Sequence, residues 1–176
     1  DGIAPFEPFP AANALPLLEW GANWLIGQRF HHLLLLHAGA LVKDGRALLM
    51  PATPGSGKST LTAALSLRGW RLLSDEFGAW DPASSLFRAV LKPVSLKNES
   101  IAVIRRFAPA APIGPEFPKT RKGTVAHLAA DEAAVAAREP HVGTLDPGFR
   151  RVGVVVLVRQ REAVAALEVP LPELGD

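Results

Sequence analysis

His37, Lys58, Asp75 and Glu76 are residues whose types suit acid, base and charge chemistry, and Lys58 lies in the run Pro51-Ala52-Thr53-Pro54-Gly55-Ser56-Gly57-Lys58-Ser59-Thr60. That run reads as a phosphate-binding loop. Such a loop follows a buried strand and opens a helix, so that its backbone N–H groups wrap a polyphosphate at the positive end of the helix dipole. Gly55 and Gly57 permit backbone conformations and close approaches that a Cβ would obstruct. Lys58 supplies charge to the β- and γ-phosphates, and the Ser59 hydroxyl suits Mg²⁺. Pro54, Ser56 and Thr60 complete the expected cradle. The first glycine of the G-x-x-x-x-G-K-[ST] pattern is Ala52 here, a small residue that the position tolerates.

The flanks must place this loop, and both have the required character. Residues 47–50 are a short apolar run expected to be a buried strand, and Leu61, Ala64, Leu65 and Arg68 continue from Ser59 at helical spacing until Gly69. A chance Gly/Ser/Lys surface loop is the competing reading, and it does not account for either flank. Upstream, residues 33–42 read as a very apolar strand carrying His37. The Asp44-Gly45 pair favours positive φ, so the chain should turn back antiparallel into residues 47–50. Downstream, residues 70–73 read as a second buried strand that delivers Ser74-Asp75-Glu76 at its carboxyl end. A carboxylate there is where a phosphate-loop protein places the acid that holds its metal.

The remaining elements frame this centre. Residues 16–30 read as a helix with Leu17, Trp20 and Trp24 toward a core and Glu19, Asn23 and Arg29 in solvent. The tryptophans suit packing, with a platform for a nucleotide base as the sharper alternative. A hairpin is expected from residues 77–80 and 86–91, a loop over 93–98, and a short helix over 99–107. Residues 108–118 carry four prolines and a glycine and should be an irregular connection. A strand over 124–128, a helix over 131–138 stopped by Pro140, and a strand over 152–158 with a partner at 164–169 complete the chain. Lys119, Arg121 and Lys122 form a cationic run that is either a solvated face or a grip for phosphate or an acidic peptide. Lys97, Arg105 and Arg106 are open to the same two readings.

Composition sets limits. With 176 residues, 48 % hydrophobic and 20 % charged, the chain suits a single globular domain spanning 1–176. A net charge of +2 announces neither a nucleic-acid nor a membrane partner. Without cysteine there is no thiol nucleophile, disulfide framework or cysteine metal site, which fits a reducing cytoplasm. His31, His32, His127 and His141 show no metal-ligand spacing with carboxylates. No run of eighteen apolar residues and no basic-then-apolar leader is present, so a soluble protein is expected. Asp1 at the start and Met50 as the sole methionine suggest a piece of a longer product, with room for continuation after residues 169–176.

His37-Ala38, Gly55-Ser56-Gly57-Lys58-Ser59 and Asp75-Glu76, in this order, resemble the HPr kinase/phosphorylase family, and more closely the HPr-related kinases. The resemblance runs from about residue 33 to 98, with a looser echo over 118–128. Glu76 stands where HPr kinases carry a second Asp, and the C-terminal signature that engages their protein substrate is missing. The resemblance implies an α/β P-loop nucleotide-binding domain with a mixed β-sheet, like the HPr kinase C-terminal domain. It also implies ATP and Mg²⁺ as cofactors, a protein or peptide serine as acceptor, and a homo-oligomer. In that setting Lys58 and Ser59 serve the phosphates and the metal, Asp75 is the metal-side acid, and Glu76 paired with His37 is the general base. On sequence grounds the two acids can exchange roles. Two rivals stand beside this kinase reading: an ATPase or nucleotide-binding module that drives a partner, and a small-molecule kinase or carboxykinase-like enzyme.

Overall fold

The computed structural model describes residues 10–44, 46–84, 86–137, 151–155 and 166–170. A 3-10 turn at Ala11–Asn13 leads into helix α1, Ala14–Arg29, whose first turn accommodates Pro16. Trp20 is buried on this helix, whereas Trp24 stays 45 % exposed. Glu19 and Asn23 are not in solvent as expected. They lie one residue before and three after Trp20, so they share its inward side. There Glu19 Oε1 accepts from Asn23 Nδ2 at 2.8 Å and from Lys92 Nζ at 3.0 Å, and Lys92 also donates to Asn23 Oδ1.

The leucine-rich run becomes strand β1, Leu34–Lys43, which turns back through Asp44 at φ 50° into β2, Arg46–Pro51. The two pair antiparallel from Ala38 opposite Pro51 to Lys43 opposite Arg46, as the Asp-Gly turn predicts. Helix α2, Lys58–Ser66, follows. The chain then returns along the other edge of β1 in two pieces, β3 (Arg71–Ser74) and β4 (Phe77–Asp81). β3 pairs antiparallel with the second half of β1, and β4 with the first half, where His37 faces Phe77. The expected hairpin closes with β5, Leu86–Arg88. Its turn is pinned by Asp81, which accepts from the Ala83 amide, the Ser84 hydroxyl and the Arg88 guanidinium.

Residues expected to form a loop instead contain β6, Val94–Lys97. Val94, Ser95 and Leu96 are all buried, and a short strand between Pro93 and Asn98 carries turn signals at both ends that mask its pattern. Helix α3, Glu99–Phe107, matches expectation, and the irregular stretch after it ends at residue 116, because Phe117 and Pro118 already belong to a strand. Strands β7 (Phe117–Thr120) and β8 (Gly123–Leu128) and helix α4 (Glu132–Ala136) follow. The Pro140 stop lies outside the described residues. Strand β9, Arg151–Val155, adds parallel to β2, and β10, Ala166–Pro170, antiparallel to β9.

Among the described residues the result is a mixed α/β architecture with two sheets. One is seven-stranded, ordered β10-β9-β2-β1-β4-β5 with β3 also on β1; the other is antiparallel, ordered β6-β8-β7. The parallel β2–β9 pair makes the larger sheet mixed, as expected. Two cores result from strand alternation. Leu72 joins Ala63, Val94, Leu96, Ile101, Ile104, Ala126 and Leu128 in a core that unites α2, α3 and the small sheet. Its neighbour Leu73 points the other way, into Ala40, Val42, Ala47, Leu49 and Phe87 of the larger sheet. β3 therefore belongs to both halves, and whatever follows Ser74 is held between them. Among the described residues, no helix is long and apolar enough to cross a membrane.

Candidate functional site

The site begins at the break between β3 and β4. Because the returning chain pairs with β1 on both sides of residues 75 and 76, the break is forced open at that point rather than allowed to drift. The Ser74 hydroxyl accepts the amides of Glu76 at 3.1 Å and Phe77 at 2.9 Å, while Ala38 N–H donates to Glu76 O at 3.2 Å. Consecutive side chains point to opposite sides of an extended chain. Asp75 accordingly turns inward, 5 % exposed, and Glu76 turns to His37, with Oε1 at 3.6 Å from Nδ1. That distance is longer than a hydrogen bond, so the two groups are neighbours that a small rotation would join.

The glycine loop approaches from β2. Ser56 N–H closes a turn on Thr53 O at 3.2 Å, and Gly55 and Gly57 take φ of 81° and 94°, conformations that glycine adopts without a Cβ penalty. Gly57 caps α2, with the Leu61 amide making the first helical bond to its carbonyl at 2.9 Å. The amides of Lys58, Ser59 and Thr60 are thereby left at the helix end without intrahelical acceptors, at the positive pole of the dipole. Such an end accepts an anion. Pro54 and Gly55 are exposed beside it.

Lys58 is buried under this loop rather than extended into solvent. Its Nζ donates to the Asp75 carbonyl and lies 3.9 Å from Asp75 Oδ1. Asp75 Oδ2 accepts from the Ser95 amide at 3.2 Å, but Oδ1 is buried with no hydrogen-bond partner. Burial raises the Asp75 carboxyl to about 6, against the opposing pull of Lys58, with Glu76 pushing up and the Ser59 hydroxyl pulling down. A buried oxygen lacking a donor, with Ser59 beside it, is a donor set for a hard cation such as Mg²⁺, which takes one or two protein oxygens and fills the rest with water and phosphate. Among the described residues no three His, Asp or Glu side chains gather into a dedicated metal cage.

His37 is half exposed. Burial lowers its pKa first, Lys58 second, and Glu76 opposes them, with Lys97 and Lys122 lowering it further. The ring is therefore neutral at pH 7. All four residues singled out for chemistry, His37, Lys58, Asp75 and Glu76, are brought together from β1, α2 and the β3–β4 break, and Ser59 and the cradle of residues 54–60 stand beside them.

Sequence reasoning left Ser95 and His127 of the small sheet unassigned. Ser95 on β6 faces His127 on β8, and Lys97 faces Val125. His127 is 7 % exposed and packs edge-on against Phe117 at 6.1 Å. Burial lowers its pKa, with Glu19 opposing and Lys92 and Lys97 reinforcing. The alternation Val94/Leu96 against Ser95/Lys97 was the available signal. Within the cationic run, Lys119, Arg121 and Lys122 are all exposed, and Lys122 Nζ lies 5.0 Å from the Trp20 ring centroid. Trp20 thus meets a lysine where a nucleotide-base platform had been one of two expectations. Comparison with protein-family models, with curated proteins and with solved structures finds no match for this chain, so the meaning of the site rests on its geometry and chemistry.

Proposed function

We propose that this chain is an ATP-dependent kinase of HPr kinase type, a P-loop domain that transfers the γ-phosphoryl group to a hydroxyl, with a protein or peptide serine as the acceptor. The observation that supports it most is the approach of Lys58, under a glycine loop at a helix N-terminus, to a buried acid whose neighbour in sequence meets an imidazole. A structural ion pair would not require the loop, the free amides or the second acid.

In this reading the amides of residues 55–60 and the Lys58 ammonium receive the phosphate tail. Ser59 and Asp75 would hold Mg²⁺, which when bound neutralises charge on the β- and γ-phosphates. Glu76, 23 % exposed where Asp75 is enclosed, takes the proton of the acceptor hydroxyl. The acceptor oxygen forms its bond to the γ-phosphorus as the bond to the bridging oxygen breaks, and ADP leaves. A neutral His37 orients the Glu76 carboxylate without setting a full positive charge beside it.

The test is incubation of the purified chain with γ-labelled ATP, Mg²⁺ and cell extract, followed by identification of the labelled species. Label on serine of a protein or peptide, abolished by Lys58→Ala in a variant with native circular dichroism, is the expected result. Release of inorganic phosphate with no labelled acceptor would replace the kinase by an ATPase. Undiminished transfer by the folded variant would refute the loop assignment.

A further inference from the structure

The small sheet has two faces. Val94, Leu96, Ala126 and Leu128 fill the core against α2 and α3, so the alternating set, Ser95, Lys97, Val125 and His127, turns the other way. On that side Lys122 Nζ lies over Trp20 of α1. Asn98 fixes the two lysines relative to each other. Its backbone amide donates to Thr124 O at 2.9 Å, its Oδ1 accepts from the Thr124 amide at 3.0 Å, and its Nδ2 donates to Lys122 O at 3.2 Å. Asn98 holds φ 52° to do so, and Gly123 at φ 84° leaves the space, since a Cβ there would come within 2.2 Å of Asn98 Oδ1. The Thr120 hydroxyl tightens the same turn, donating to Gly123 O at 2.7 Å and accepting the Lys122 amide at 3.1 Å.

These bonds fix the backbones from which Lys97, half-buried, and Lys122, exposed, extend. Among the described residues, neither Lys97 nor Lys122 has a carboxylate within ion-pair distance. The face they share with Ser95 and His127 also holds unpartnered polar atoms: Ser95 Oγ and both ring nitrogens of His127 are buried without a hydrogen bond. Buried donors and acceptors are normally satisfied. Two lysines without a carboxylate at ion-pair distance, rooted at the sheet face that carries a buried hydroxyl and an imidazole able to donate, suit an oxyanion.

We infer that Lys97 and Lys122 form a second oxyanion site, near the group of Lys58, His37 and Glu76, that takes a phosphate-class group. This deepens the kinase reading and rests on it for the source of the group. That group is either the terminal phosphate of the nucleotide or an anionic substituent carried by the acceptor. Burial, Lys97 and Lys58 lower the pKa of Lys122, while Glu76 and Glu19 raise it, which agrees with ammonium groups lying near one another.

The probe is inorganic phosphate, titrated by calorimetry into Lys58→Ala, where the loop has lost its lysine. A retained site is expected, and its affinity should fall roughly tenfold or more on adding Lys97→Met or Lys122→Met. Methionine keeps an apolar stem on Trp20, so a folding defect is separable by thermal unfolding. No binding in Lys58→Ala, or binding that both further substitutions leave unchanged, overturns the inference. Wild type is then titrated beside saturating Mg²⁺·ADP and beside a non-hydrolysable ATP analogue with Mg²⁺. Phosphate admitted by ADP but excluded by the analogue identifies the terminal phosphate, and phosphate admitted by both identifies the anion of the acceptor. Exclusion by ADP as well would leave only the loop and overturn the second site. Should nucleotide fail to bind at all, the kinase reading falls, while the phosphate titration still decides the lysine site.

Discussion

Asp75 and Glu76 are adjacent in sequence and have opposite surroundings, and in the proposed kinase that difference would divide their labour. Asp75 is enclosed, carries a carboxyl raised to about 6, and already meets Lys58 and the Ser95 amide. A proton-accepting group for an incoming hydroxyl must be reachable from outside, and Glu76 with His37 at 3.6 Å is the reachable one. Glu76→Gln preserves size and hydrogen bonding while removing the base. It should leave nucleotide affinity within twofold and slow phosphoryl transfer by roughly 10²-fold or more, measured by single-turnover transfer from labelled ATP. An unchanged transfer rate would move the base to another group.

At the scale of elements, the site depends on how closely β1 passes α2. Gly39 makes that approach possible: a Cβ there would lie 2.3 Å from Thr62 Oγ1 and 3.1 Å from Met50 Cε, with Lys58 Cγ at 3.6 Å. Gly39→Ala should therefore cost about 1–3 kcal/mol through overpacking and weaken nucleotide binding by displacing the start of α2. Thr62→Ala in the same chain removes the hydroxyl in conflict and should recover most of the loss. Additive effects of the two substitutions in urea unfolding would show that the contact is not the cause. The elements that carry this contact were legible in the sequence because each has a strong local signature: an apolar run, an Asp-Gly turn, two glycines before Lys58, and a helical repeat ended by Gly69. β6 was not legible, since a four-residue strand bounded by Pro93 and Asn98 looks like a loop until its partner β8 is known. Ser95 and His127 went unassigned for the same reason, and Lys97 and Lys122 stayed open between a phosphate grip and a solvated face. Their meeting with α1 is a long-range event that no local pattern encodes, whereas His37, Lys58, Asp75 and Glu76 sit on segments whose order alone brings them together.

For the whole molecule, the site lies between two cores that share β3, so its protonation is linked to global stability. Asp75 binds a proton in the folded chain up to about pH 6 but only to about pH 4 when unfolded. Its contribution is full below about pH 4 and is lost as pH rises through about 6. His37 and His127 have lowered pKa values and act in the opposite sense: they are neutral in the fold where the unfolded chain still takes up protons, so their contribution is lost as pH falls. A bare stability curve would blend the two, and the comparison of wild type with Asp75→Asn separates them. In urea unfolding of the nucleotide-free proteins, the stability of wild type relative to the variant should decline between pH 4 and about pH 7 and level off above. Bound as proposed, Mg²⁺·ATP would favour the ionised carboxylate, so its stabilisation of wild type should be larger at pH 7.5 than at pH 5 and should be much reduced in Asp75→Asn. A difference that stays flat from pH 4 to 7 would mean that Lys58 keeps Asp75 ionised throughout, and that its buried oxygen is held by the ion pair rather than kept open for a cation.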